Sequence, residues 1–176
     1  MLRSPFLLFC SIVLAGCVSQ PELYAPPAQR KPLDRDMLLR SNPLLEIGNN
    51  DAERYFVSDI IKGPTMAGWR WSRKRPTISL PLKSASNLRY RLDFSLPEVT
   101  FKETGPVTIT FFVNDRELDK VLYDSPGQKT FEKPVPPGFL KEMSDNRLAA
   151  EVDKTYLPKD DKQPLGFIIT RFGLVQ

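Results

Sequence analysis

Leu88 to Leu96 reads Leu-Arg-Tyr-Arg-Leu-Asp-Phe-Ser-Leu, an unbroken alternation of apolar and polar residues. Successive side chains of a strand point to opposite faces, so this period of two fits a strand with one buried face. Leu88, Tyr90, Leu92, Phe94 and Leu96 take one side, and Arg89, Arg91, Asp93 and Ser95 take the other. One strand cannot cover its own apolar face, so the run also demands partners. Val107, Ile109, Phe111 and Val113 repeat the pattern against Thr108 and Thr110. Asn114-Asp115 then predicts a tight turn into a strand over Glu117–Tyr123. Thr77–Leu82, Arg147–Asp153 and Leu165–Leu174 supply further strands. Gly63-Pro64, Ser125-Pro126-Gly127, Pro134–Gly138 and Leu157–Gln163 punctuate them. No long amphipathic helical window follows residue 50. The pattern predicts an all-β, antiparallel β-sandwich over residues 51–176.

The chain before this region has another texture. Residues 17–50 hold Pro21, Pro26, Pro27 and Pro32 among small and charged residues, which predicts an extended tether. Asp34–Leu45 fits one or two helical turns before Pro43, with Leu38, Leu39, Leu44 and Leu45 available to dock on the domain. Residues 1–16 combine a basic start at Arg3 with an apolar run from Phe6 to Val13. That run is far shorter than the roughly 20 residues of a transmembrane helix and fits a signal peptide. Leu14-Ala15-Gly16-Cys17 resembles the lipobox of bacterial lipoproteins. The resemblance implies that Cys17 is lipidated and becomes the mature N-terminus. A thiolate is the right nucleophile for such a thioether. Acyl chains contribute about 0.8 kcal/mol per buried CH₂, so two or three of them anchor a protein stably. The aspartate that commonly retains lipoproteins at the inner membrane is absent after Cys17, where Val18-Ser19 stand. The expected location is the bacterial outer membrane, with the domain lipid-anchored and facing the periplasm or the surface.

Composition removes several chemistries. The chain has 2 cysteines, and Cys10 leaves with the signal segment, so the domain must hold together by packing, without a disulfide. It has no histidine, which excludes Ser-His-Asp and Cys-His catalysis and His-ligated zinc. The net charge of +4 comes from 25 basic and 21 acidic residues, interspersed apart from Arg73-Lys74-Arg75. This weak bias suits acidic glycans or lipid phosphates, but an ordinary solvated surface is the simpler reading of it. Nucleic acid is not expected for an exported, tethered chain. Asp59, Asp93, Glu117 and Asp119 lie on strands, but no motif pairs them at the roughly 5–9 Å that glycoside hydrolysis needs. Asp153 with Asp160-Asp161 lacks calcium-loop spacing, and Lys154, Lys159 and Lys162 intervene. No cofactor, no metal ion and no enzyme activity are expected.

The order of features carries a second resemblance. A strand ending at Asp59 is followed by a bend and Gly68-Trp69-Arg70-Trp71. Next come a strand ending Leu80-Pro81-Leu82 and the Leu88–Leu96 strand. Val113-Asn114-Asp115 takes the place of a Val-Asn-Gly hairpin, and Pro164-Leu165-Gly166 leads into Phe167–Leu174. Over about residues 52–176 the chain is similar to jelly-roll, galactose-binding-like or carbohydrate-binding-module-like sandwiches of bacterial envelope proteins. Asp115, where glycine is usual, points to a different hairpin turn. A shared fold does not settle function.

Trp69 and Trp71 are the only tryptophans, and two-residue spacing sets them on one face of a strand. Exposed indoles can stack on sugar rings, with Arg70 and Arg73 bonding hydroxyls, carboxylates or phosphates. Buried indoles would instead fill the core or cap its edge. The predicted ligand-binding set is Trp69, Trp71, Arg70 and Arg73, in a non-catalytic module that recognises envelope polysaccharide. The alternative is a structural or accessory lipoprotein that docks on an envelope protein through a sheet edge or residues 34–45.

Overall fold

Nine strands form among residues 43–63, 67–159 and 163–176, which are the residues described by the computed structural model. Cys17, the signal segment and the tether up to residue 42 lie outside the described residues, as do Asp160 and Asp161. In chain order the elements are β1 (Leu44–Glu46), a 3₁₀ helix (Asn50–Tyr55), β2 (Phe56–Ile60), β3 (Arg70–Leu82) and β4 (Arg89–Leu96). There follow α1 (Glu98–Thr104), β5 (Val107–Val113), β6 (Arg116–Tyr123), β7 (Gly127–Pro134), β8 (Ser144–Val152) and β9 (Ile168–Val175).

All pairings between these strands are antiparallel, in the order β6-β5-β8-β3-β9-β4-β7, with β1 on β9 and β2 on β3. β3 belongs to both layers: Arg70 and Trp71 pair with β9, and Thr77–Leu82 pair with β8. The curled sheet thus becomes an antiparallel jelly-roll sandwich. Sheet A is β1, β9, β4 and β7; sheet B is β2, the body of β3, β8, β5 and β6. Tyr90, Leu92 and Phe94 of β4 are fully buried against Ile109 and Phe111 of β5, Leu148 of β8 and Phe172 of β9. Arg89, Arg91 and Ser95 face outward, as the alternation requires.

The crossing of β3 between layers is visible in its register with β2. Ile60 faces Ser72, yet Ser58 faces Thr77, so residues 73–76 bulge out of the ladder. This is Arg73-Lys74-Arg75-Pro76, where the proline has no N–H to lose. Asp59 holds the bulge: its carboxylate accepts the Arg75 backbone N–H at 2.8 Å. At the hairpin between β5 and β6, Asn114 and Asp115 both adopt positive φ, 49° and 60°. That is the type I′ turn itself, so Asp115 does not signal a different one. Asn114 keeps this turn in place through its side chain, which bonds Phe139 O, the Asn146 amide and the Arg147 N–H. Asn146 is fully buried and bonds both backbone groups of Lys141.

Three elements depart from the sequence reading. β1 pairs with β9 from Leu44, so the sheet begins inside the segment assigned to the tether, and Leu45 docks as strand. Gly173 makes room for it, because a Cβ there would meet Pro43 O at 2.0 Å. α1 is a short helix over a segment with no helical periodicity. β7 was not expected, because Phe131 is its one apolar side chain on the inner face. The inner face of β7 lies along the open seam between the sheets, opposite the other edge strand, β6. There Phe131 stacks on Phe111 at 3.5 Å, and Lys133 pairs with Asp119 at 2.8 Å.

The seam titrates at both ends of the pH scale. The Lys133 ammonium, with the Lys120 backbone N–H, holds the Asp119 carboxyl below its ordinary range. A depressed carboxyl pKa stabilises the fold above the unfolded value, and that stabilisation is lost as pH falls through the folded one. Because the pair is partly exposed, Asp119→Asn should cost less than about 1 kcal/mol, and less still in high salt. Urea denaturation at two salt concentrations measures this. At the alkaline end, burial and then the Asp119 charge push Tyr123 up to about 12. Burial raises Tyr90 well above the ordinary 10.0, and its phenol donates to Ala149 O at 3.0 Å. Below pH 10 both phenols are protonated in the folded and the unfolded chain, so neither makes stability depend on pH. Above it the unfolded chain ionises first, so stability falls as pH rises toward 12. Phenolate absorbance from these two tyrosines should appear together with loss of the β-sheet circular dichroism. Full ionisation with the fold intact would contradict their burial.

Candidate functional site

The sheet A register builds one outward face from five segments. At its upper end, where the β2–β3 and β8–β9 connections lie, Gln128, Ser95, Ile168 and Trp71 follow one another across β7, β4, β9 and β3. Ile61 continues the row, its N–H bonded to Trp71 O at 3.0 Å. The rows below are charged. Asp93 accepts Arg171 at 2.6 Å and the Thr130 hydroxyl at 2.9 Å, and Glu132 pairs with Arg89 and Arg91. Each of these charged side chains thus has at least one partner within the rows, and the upper corner is left apolar and aromatic.

Trp69 and Trp71 stand at that corner. Their ring centroids are 6.4 Å apart and their planes meet at 88°, an edge-to-face pair. Trp69 is 36% exposed and Trp71 half-buried, so neither belongs to the core between the sheets. Arg73 follows at the same strand parity, where the bulge begins. Its guanidinium has no ion-pair or hydrogen-bond partner among the described residues, unlike Arg75, which pairs with Asp115 and Glu151.

Arg70 does not join them. It points to the opposite side of β3, and its side chain is only 3% exposed. Its Nε donates to Ile47 O at 2.8 Å, one terminal nitrogen donates to Gly63 O at 2.6 Å, and the other to Asn50 Oδ1 at 3.0 Å. Glu53 neutralises it at 2.9 Å, and the Phe56 ring lies beneath. All its donor directions are spent on the segment between β1 and the 3₁₀ helix, on that helix, and on the loop after β2. Arg70 is thus a framework residue, and the expectation that it contacts a ligand is corrected. The period-two rule held the signal: Arg70 alternates with both tryptophans and must face away from them. Sequence reasoning missed Ile61 and Ile168, which strand pairing alone brings beside the indoles.

The strand acids are likewise scattered. Asp59 holds the β3 bulge, Asp93 sits in the charged rows and Asp119 is at the seam. Asp153 accepts the Thr108 N–H at 2.8 Å. Among the described residues, no group of three acidic, cysteine or histidine side chains is placed to hold a metal ion.

No protein-family model matches the chain, and no curated protein matches it in sequence. Among solved structures, it is similar to a family 35 carbohydrate-binding module from an environmental isolate. The two are 15% identical, the match covers 69% of this chain and 86% of that one, and the TM-score is 0.45. A family 35 module from Paenibacillus barcinonensis is 14% identical over 71% of this chain and 95% of that one, at a TM-score of 0.39. A two-domain esterase active on acetylated mannans, co-crystallised with mannopentaose, is 16% identical. That match covers 78% of this chain and 36% of the esterase, at a TM-score of 0.30. What the domain does has to be read from its own side chains.

Proposed function

We propose that this chain is a non-catalytic glycan-binding lipoprotein, anchored through Cys17 in the bacterial outer membrane. The observation that carries the binding role is the Trp69–Trp71 pair on the outer face of sheet A, beside Arg73. Two indoles at right angles make a wall with a corner. A pyranose can lay its apolar C–H face on one ring and abut the other. Arg73 then offers its guanidinium to a hydroxyl, carboxylate or phosphate. Ile61 and Ile168 extend the apolar floor. Binding without chemistry is consistent with the strand acids Asp59, Asp93 and Asp119, which are separately engaged in structural contacts.

A Cys17→Ser chain, which cannot take the lipid, allows the test in solution. It would be titrated with envelope polysaccharides and lipopolysaccharide while indole fluorescence is followed. Both tryptophans of the protein lie in the site, so a saturable change that survives high salt supports stacking. A folded domain that responds to no glycan would sink this reading. The protein-docking alternative has one feature in its favour: β2 is an edge strand with Val57 50% exposed, and Ile61, just after its end, is 37% exposed. Such an edge can accept a partner's strand.

A further inference from the structure

At the end of the sandwich opposite the tryptophans, the β3–β4 loop (83–88) and the β7–β8 loop (135–143) enclose an open cleft of about 690 Å³. That volume is within the usual range for small-molecule sites, about 300–1,000 Å³. The Val135 N–H bonds Leu88 O at 2.9 Å, and Glu142 Oε1 accepts the Ala85 N–H at 3.2 Å and the Ser84 hydroxyl at 3.5 Å, so these contacts tie the loops together. Leu88, Leu140, Pro134 and Val135 form an apolar floor. Three polar groups stand over it with bonding capacity to spare. Asn87 makes no side-chain hydrogen bond among the described residues. Glu142 spends Oε1 on the loops and keeps Oε2 open. Arg89 gives Nε to Glu132 at 2.7 Å and keeps both terminal nitrogens open.

We propose that this cleft is a second saccharide site, for a single pyranose unit with vicinal hydroxyls. A carboxylate oxygen accepts from hydroxyls, a guanidinium donates to them, and an amide does both. This set matches adjacent hydroxyls, which each donate and accept. The aliphatic floor takes the ring's C–H face. No aromatic ring lines the cleft, so binding here is led by hydrogen bonds, and at the tryptophan corner by stacking. The two sites are separated by the length of β4, from Arg89 to Ser95, about 20 Å at 3.3 Å per residue. One domain can therefore hold two sugars at once, or two points of one polysaccharide, and gain avidity. The cleft uses none of the residues of the tryptophan site, so either site stands without the other.

The test is amide NMR of the Cys17→Ser chain with methyl pyranosides of gluco, galacto and manno configuration. The expected result is saturable shifts among residues 85–89 and 134–142 with at least one of them, retained in Trp69→Ala/Trp71→Ala. Glu142→Gln keeps Oε1 for the loops and changes only the open oxygen. Asn87→Gly keeps the left-handed backbone, φ 55°, and removes the amide. Each should weaken cleft binding about tenfold or more without altering the other amide signals. Shifts confined to the tryptophan corner, or none at the cleft with any pyranoside, would overturn the proposal. Cleft shifts with a silent tryptophan corner would uphold it and count against the first site.

Discussion

Replacing Arg70 with methionine should cost the domain about 3 kcal/mol, the lower end for breaking a buried ion pair, because Glu53 stays partly wetted. The melting temperature should fall by roughly 10 °C. The loss has two sources. Glu53 would lose its counter-charge. Ile47 O, Gly63 O and Asn50 Oδ1 would lose their donors in a place water reaches poorly. Arg70→Lys should recover less than half, because one ammonium cannot serve acceptors spread around a planar fork. Thermal melts and urea curves measure both. Any glycan bound by the folded fraction should bind with unchanged affinity. A variant of wild-type stability that lost glycan binding would restore Arg70 as a ligand contact.

Removing both indoles should have the opposite signature. Trp69→Ala/Trp71→Ala is expected to weaken glycan binding at the corner by a hundredfold or more, about 2.8 kcal/mol, as for aromatic anchors at interface centres. Stability should fall by only about 1–2 kcal/mol, since both rings lie on the outer face and part of each is already wet. Arg73→Ala should weaken binding less, and mainly for glycans bearing carboxylate or phosphate, with the difference shrinking in salt. Calorimetric titration of folded variants separates these effects. Normal affinity in the double variant would remove the indole pair from the site.

These contrasts show where local pattern was enough and where it was not. Strands whose inner face packs on the core centre declare themselves. β4 and β5 alternate because every second residue is dry, and Tyr90 or Phe111 cannot be exchanged for a polar residue without leaving a gap. The edges do not follow this rule. β7 carries Lys129, Phe131 and Lys133 on one parity, because at the seam a lysine stem can pass along apolar surface and its ammonium still reach Asp119. β1 is three residues long, too short for any period. It forms because Gly173 lets the backbone at Pro43 come close.

The candidate sites divide along the same line. The tryptophan pair and Arg73 are near neighbours in sequence, and strand parity alone sets them on one face. Parity also separates Arg70 from them, but it cannot say which side is outside. The pairing of β3 with β9, and the 3₁₀ helix laid over Arg70, decide that. The lower cleft was invisible in the chain. Asn87 and Glu142 lie more than fifty residues apart, and only the return of β7 beside β4 brings their loops together.

The sequence by itself determined that the domain is an antiparallel sandwich and where its central strands and main hairpin lie. Alternation and turn chemistry are local properties, settled within a few residues by which side chains must leave water. Tertiary structure alone decided which arginine is spent inside and which is left at the surface, and how β3 passes from one layer to the other. It alone also decided which loops meet in a cleft. Each of these depends on contacts between residues far apart in the chain, and the energy of such a contact is written in neither segment taken alone.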